Sequence, residues 1–362
     1  MTLSTEELQR YARHLNLPEI GVAGQEKIKQ AKVLCVGAGG LGSPAITYLT
    51  AAGVGELGII DNDLVETSNL QRQTIHTQAS IGEAKVLSAA RWVKANNPHV
   101  QVTTFQQRLS AENALQLIKQ YDIVIDGTDN FSSRYLINDA CFFADKPNIQ
   151  ASIYRFTGQL SVFTPKTACY RCVFPEPPTG DAAPSCAEGG VLGVLPGLLG
   201  VMQATEALKL ITNCGEPLTN RMLLVNTLNM AFKTIKTAKN PFCKLCGERP
   251  SITQLEEIMQ QCNTPSEHDI NVEQLRAQLA QNPKLKLIDV REPFELLETG
   301  TIGEPINIPL NTLADNLGKL DKNSAYVVYC RSGGRSAKAV EFLRENGFDC
   351  KNLSGGILAW SA

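Results

Sequence analysis

The sequence lacks the signals that would commit a chain to a membrane, to export or to nucleic acid. No apolar run is both long and free of charge enough to read as a membrane span. The nearest, residues 189–204, is broken by glycines and Pro196, which points to a buried turn and helix. The opening Met1-Thr2-Leu3-Ser4-Thr5-Glu6-Glu7 has no basic stretch followed by an apolar one, so no signal peptide and a cytoplasmic location are expected. Neither sign of charge is in excess, with 34 Lys and Arg against 36 Asp and Glu and a net charge of -2. That balance gives no reason to expect nucleic acid or an acidic membrane as the main partner. No G-x-x-x-x-G-K-[ST] loop occurs, which excludes a P-loop enzyme, and no internal repeat or low-complexity tract is found.

Cysteine, by contrast, is plentiful. There are 11, an odd number, and four of them sit in two C-x-x-C pairs. In a chain read as having no export signal, this favours metal binding and catalysis over disulfides. At 362 residues, 43% apolar and 19% charged, the composition is globular and long enough for two domains.

Residues 4–15 read as a helix opened by a Ser4–Glu7 capping box. The run 32–36 is apolar enough for a buried parallel strand, and a glycine turn and helix 43–52 follow it. Strand 56–60 ends at Asp61; helix 83–96, strand 101–105, helix 111–120 and strand 122–125 continue the alternation. This β-α-β order predicts an α/β fold with a doubly wound parallel sheet, and runs 159–163 and 222–226 suggest further strands. Domains are expected at 1–250 and 269–362, with a polar linker at 251–268. The second begins with a helix, has a strand at 285–290, and then a strand, 325–329, that ends at Cys330. Cys330 opens the turn Arg331-Ser332-Gly333-Gly334-Arg335 before a helix. Loop amides, a helix start and two arginines there favour a thiolate, which makes Cys330 a candidate nucleophile or sulfur carrier.

Gly37-Ala38-Gly39-Gly40-Leu41-Gly42 follows a strand, opens a helix and has Asp61 at the end of the next strand. The pattern fits a nucleotide: the backbone approaches phosphates and the acid binds a ribose hydroxyl. A nicotinamide oxidoreductase is one reading. The residues that follow, Ser68-Asn69-Leu70-Gln71-Arg72, then Lys85 and then Asp129-Asn130, favour a triphosphate instead. Arg72 and Lys85 supply cationic charge, and Asp129 could hold Mg²⁺.

Together these motifs resemble the E1-like adenylyltransferases of the MoeB/ThiF group, over roughly residues 4–248. The resemblance implies an E1-type adenylation domain whose ATP site comprises Gly37, Gly39, Gly40, Asp61, Ser68, Asn69, Leu70, Gln71, Arg72, Lys85, Asp129 and Asn130. Arg10-Tyr11-Ala12-Arg13 resembles the family's N-terminal segment, which implies that Arg13 enters a neighbouring subunit's ATP site in a homodimer.

Cys169-x-x-Cys172 and Cys243-x-x-Cys246 each form a knuckle, and together they suit a tetrahedral Zn²⁺ that staples two distant segments. The resemblance also implies a structural zinc. Cys186, in a Pro- and Gly-flanked loop, matches the family's reactive loop cysteine, which implies a covalent intermediate; thioester, acyl persulfide and mixed disulfide are all open. Cys35, Cys141, Cys214, Cys262 and Cys350 are read as incidental.

The segments at 287–292, 307–310 and Cys-x-x-Gly-x-Arg-Ser at 330–336 resemble a rhodanese, a small α/β sulfurtransferase domain. This implies a persulfide on Cys330, cradled by loop amides with Arg331 and Arg335 beside it. The Gly300-Thr301-Ile302-Gly303-Glu304-Pro305 segment departs from the family's usual Gly-His-Ile-x-Gly-Ala. The expected reaction is ATP-dependent adenylation of a ubiquitin-like sulfur carrier ending in Gly-Gly, then sulfur transfer to give a thiocarboxylate. A sulfur donor such as a cysteine desulfurase is implied upstream. Molybdopterin, thiamine, cysteine and tRNA-thiolation pathways all fit, and a carrier-binding scaffold with a docking rhodanese is the non-enzymatic alternative.

Overall fold

A short run that is apolar at every position asks for burial on both faces, and the first strand meets that demand. In β1 (Lys32–Val36), Val33 and Cys35 enter one core while Leu34 and Val36 enter the other. The computed structural model describes residues 2–177, 190–257, 267–282 and 285–361. It divides into two units, Met1–Gln260 and Gln261–Ala362.

The first unit holds β1, β2 (Glu56–Ile60), β3 (Gln101–Phe105), β4 (Ile123–Asp126), β5 (Asn148–Tyr154), β6 (Thr157–Phe163), β7 (Arg221–Asn226) and β8 (Ala231–Lys236). Their spatial order is β3-β2-β1-β4-β5-β6-β7-β8, parallel through β5 and antiparallel beyond it. One face is covered by helices Gly42–Ala52, Lys85–Asn96 and Val194–Thr212, the other by Ala114–Ile118 and Phe131–Phe143. Burying each large aliphatic side chain here contributes about 1.5–3 kcal/mol. Helix Val194–Thr212 is long and apolar enough to cross a membrane by composition, yet Leu195, Leu199, Ala204 and Ala207 lie in the core. The chain runs from β1 outward to β3 and returns to β4 on the other side of β1. That reversal opens a crevice at the carboxyl ends of β1 and β4, the place where such sheets bind ligands.

Several elements depart from the expected boundaries. The first helix is two, Thr5–Arg10 and Ala12–Leu15, because Tyr11 turns inward and its hydroxyl accepts from Asn97 Nδ2 at 2.9 Å. Helix Ala114–Ile118 is half the length expected from the pattern. Part of the stretch read as a linker stays with the first unit: Ile252 packs on the cysteine cluster and Leu255 on the core.

The second unit is a five-stranded parallel sheet of β9 (Asp269–Ile270), β10 (Lys286–Asp289), β11 (Ile306–Asn307), β12 (Ala325–Tyr329) and β13 (Asp349–Leu353), in the order β11-β10-β12-β13-β9. Its central β12 sends Tyr326 and Val328 to one core and Val327 and Tyr329 to the other. Cys330 follows directly, at the carboxyl edge of the sheet.

Candidate functional site

At the crevice of the first unit the glycine turn is shaped by close backbone contacts. Gly37 has φ of +96°, and a Cβ on it would lie 3.0 Å from the Gly127 carbonyl oxygen. A Cβ on Gly42 would lie 1.9 Å from the Gly37 carbonyl oxygen, so the turn closes only with glycine there. The backbone N–H of Ala38 donates to Asp61 Oδ2 at 2.8 Å, which joins the turn to the end of β2. Burial raises the Asp61 carboxyl above its ordinary range, against the pull of Lys85 and two backbone amides. Lys85 Nζ, nearly buried, reaches Asp63 Oδ2 at 2.7 Å. Arg72 lies over the turn: its Cγ would be 3.6 Å from a Cβ on Gly40, and its Nη1 donates to the Ser68 carbonyl at 2.9 Å.

Asn69 is buried and its Oδ1 accepts from the Glu66 backbone at 3.1 Å, which shapes the short turn that presents Arg72. Ser68 and Gln71 are exposed and Leu70 is half-buried on that same turn. Asp129 is exposed in the turn that follows β4, and Asn130 caps helix Phe131–Phe143 by accepting from the Ser133 backbone at 2.9 Å. Arg13 is exposed on its helix, and its side chain makes no hydrogen bond or ion pair among the described residues. Cys186 lies outside the described residues.

Two features of this crevice gave no signal in the sequence. His76 is buried between the turn and helix Lys85–Asn96, with Nε2 3.0 Å from the Ala38 carbonyl and Nδ1 2.9 Å from Ser88 Oγ. A carbonyl can only accept, so Nε2 carries the proton and Nδ1 accepts from Ser88. Around Asp126, several buried polar atoms have no hydrogen-bond partner among the described residues: Asp126 Oδ2, both amide atoms of Gln150, Arg134 Nε and, near Gly39, Gln73 Oε1. Each such atom costs about 1–3 kcal/mol if left dry, so the crevice is built for a polar ligand and its water. Backbone cradle, cations and carboxylates fit a nucleotide triphosphate.

The four cysteines of the two knuckles converge. Their Sγ atoms all lie within 4.8 Å of one another, with pairs at 3.3, 3.4, 3.6 and 3.7 Å. A disulfide needs about 2.05 Å. A tetrahedral metal with sulfur at about 2.3 Å gives edges near 3.8 Å, close to what is seen. The Asn240 backbone N–H donates to Cys172 Sγ at 3.3 Å, which favours a thiolate there. The residues between the first two cysteines grip helix Phe131–Phe143. Tyr170 N–H donates to Asn138 Oδ1 at 2.8 Å, and Arg171 makes a buried two-pronged ion pair with Asp139. This is a closed metal-binding cluster of the structural kind.

In the second unit Cys330 is 1% exposed. Its Sγ accepts from the Gly333 backbone at 3.2 Å and from Ser336 Oγ at 3.4 Å. Gly333, with φ of +98°, starts helix Gly334–Glu345. Arg331 is exposed, whereas Arg335 is engaged by Glu295 at 2.6 and 2.7 Å. Against the pull of burial, Arg335 and the Glu292 amide hold the Glu295 carboxyl below its ordinary range. Arg291 and Asp289, both fully buried, lock the neighbouring turn. Gly356 backs the loop: a Cβ there would lie 2.4 Å from the Cys330 carbonyl oxygen.

Comparison with known proteins gives these sites a family. Residues 11–245 match the sequence model of the ThiF family. The chain belongs to the ThiF family. Behind this ThiF domain, residues 271–362 match the rhodanese-like domain. Over 375 residues the chain is 44% identical to "Probable adenylyltransferase/sulfurtransferase MoeZ" of Mycobacterium tuberculosis, covering 99% of this chain and 94% of that protein. It is 39% identical over 393 residues to the adenylyltransferase and sulfurtransferase MOCS3 of Arabidopsis thaliana, covering 99% and 84%. The ThiF part is 46% identical over 261 residues to a sulfur carrier protein adenylyltransferase of Thermus thermophilus, covering 70% of this chain and 96% of that one. E. coli MccB, solved with ATP, has a similar fold, with a TM-score of 0.59, 23% identity and coverage of 67% and 75%. A ThiF domain followed by a rhodanese-like domain makes the chain an enzyme of the adenylyltransferase/sulfurtransferase class, in place of the nicotinamide oxidoreductase that the glycine loop alone allowed.

Proposed function

We propose that the ThiF domain adenylates the C-terminal carboxylate of a ubiquitin-like sulfur carrier ending in Gly-Gly, and that the rhodanese-like domain converts the product to a thiocarboxylate. The observation that carries this reading is a thiol receiving two hydrogen bonds at a helix start, in the same chain as a nucleotide crevice suited to carboxylate activation. ATP lies with its phosphates over Gly37–Gly42, its ribose on Asp61, and Arg72 and Lys85 on the phosphate charge. The carrier carboxylate attacks the α-phosphorus, the bond to the β-phosphate breaks, and pyrophosphate leaves. Positioning and charge neutralisation account for most of the rate here, since the attacking group is already an anion. Asp129, exposed beside buried Asp126, would hold Mg²⁺, which spreads phosphate charge when bound. Zn²⁺ is the metal that suits the four thiols, in a stapling role. Arg13, unpaired within this chain's described residues, is suited to act across a homodimer on the partner's nucleotide.

The terminal sulfur of a Cys330 persulfide then attacks the acyl carbon and AMP leaves, giving an acyl disulfide. A thiolate, Cys186 or another, attacks the Cys330 sulfur and releases the carrier thiocarboxylate. The disulfide left behind is reset by an external thiol reductant. A desulfurase-type donor reloads Cys330. The test is carrier-dependent ATP–pyrophosphate exchange, followed by mass spectrometry of the carrier for one oxygen-to-sulfur exchange. Cys330→Ala is expected to keep the exchange and lose the thiocarboxylate. Thiocarboxylate formed at the wild-type rate by Cys330→Ala would favour the docking-module reading, and no exchange with any Gly-Gly carrier would end the proposal.

A further inference from the structure

A backbone cradle at the start of a 12-residue helix attracts any anion, and inorganic phosphate or sulfate offers it more charge than a persulfide does. The sulfur loop therefore needs something that keeps doubly charged oxyanions from competing. Its two arginines would make matters worse if both faced the cradle. One does not. Both terminal nitrogens of Arg335 are taken by Glu295, whose two oxygens lie 2.6 and 2.7 Å away, with both side chains largely buried. Glu295 is itself fixed, because Oε2 also accepts from the Glu292 backbone at 2.9 Å in the capping box of helix Pro293–Thr299. Arg291, the next arginine, is cancelled in the same way by Asp289. Arg331 is left exposed and makes no ion pair among the described residues. The loop thus presents amides and one cation, a match for one negative charge.

We propose that Glu295 is a specificity-determining residue: by neutralising Arg335 it tunes the Cys330 loop to singly charged sulfur and against dianions. This rests on the reading of Cys330 as the sulfur carrier.

The test compares two sulfur donors that differ in charge at the reacting end. With thiosulfate, the Cys330 thiolate attacks the outer sulfur, the S–S bond breaks and sulfite leaves with the electron pair. With 3-mercaptopyruvate, the C–S bond breaks and the carbon takes up the thiol proton as pyruvate. Cyanide then removes the terminal sulfur as thiocyanate in both cases. The quantity read is the ratio of kcat/KM for thiosulfate to that for mercaptopyruvate, in the full-length protein at low salt. Glu295→Gln is expected to raise the ratio roughly tenfold, with phosphate becoming a better inhibitor and added salt erasing the gain. Arg335→Gln, which leaves Glu295 uncancelled, lowers the ratio by a similar factor, and the double variant returns it toward the starting value. A merely structural ion pair would depress both donors together and leave the ratio unchanged in every variant, which overturns the proposal. If Glu295→Gln does not fold, Arg335→Gln and the double variant decide by the same ratio. Cys330→Ala separates the two ideas: transfer from both donors surviving in that variant would defeat the sulfur-carrier reading itself.

Discussion

The carbonyl of Ala38 accepts from His76 Nε2 at 3.0 Å, and that bond holds the glycine turn against helix Lys85–Asn96. His76→Ala is expected to cost about 1–3 kcal/mol, the price of a buried acceptor left without its donor, and to raise the KM for ATP. Urea unfolding and pyrophosphate exchange measure the two effects. Burial, more than the nearby Lys85, lowers the His76 pKa from 6.5, so the folded state prefers the neutral ring. The unfolded chain takes up the proton first as pH falls. The stability His76 confers is therefore complete above 6.5 and is lost as pH drops from there through the lower folded value. Glutamine at 76 keeps a donor for Ala38 and does not titrate, so His76→Gln should flatten this part of the stability profile. An unchanged slope would exclude His76 as its source.

At the scale of elements, helix Phe131–Phe143 ties two sites together. It starts at Asn130, next to Asp129, and further along receives Tyr170 and Arg171 from the first cysteine knuckle. Asp139→Ala would strand Arg171 in a buried setting and should cost about 3–5 kcal/mol, with metal lost more readily to a chelator. Metal content by elemental analysis, alongside urea unfolding, checks both. This helix also marks where the sequence stops being readable. Its buried face includes Arg134, Asn138 and Asp139, so the apolar period that announces a helix is interrupted by the residues that serve the sites. Strands β1, β2 and β4 were legible because both their faces are buried. Strand β8 was not: Ala231-Phe232-Lys233-Thr234-Ile235-Lys236 is exposed at all but one position and has no burial pattern to read. The glycine turn and cysteine pairs were legible as local spacing. Glu295 was not, because its partner Arg335 lies 40 residues away and only the fold brings them together.

At the scale of the whole molecule, each unit has its own sheet and its own cores. The metal cluster belongs to the first unit alone. Chelation should therefore abolish carrier-dependent pyrophosphate exchange while leaving thiosulfate-to-cyanide transfer within about twofold, since only the first unit loses stability with its metal. Parallel loss of both activities would mean that the second unit depends on the first.

The near-complete enclosure of Cys330 bears on how long its sulfur survives between encounters. An Sγ lodged that deeply meets few stray oxidants or thiols, and any step at that sulfur waits for a group able to reach into the loop.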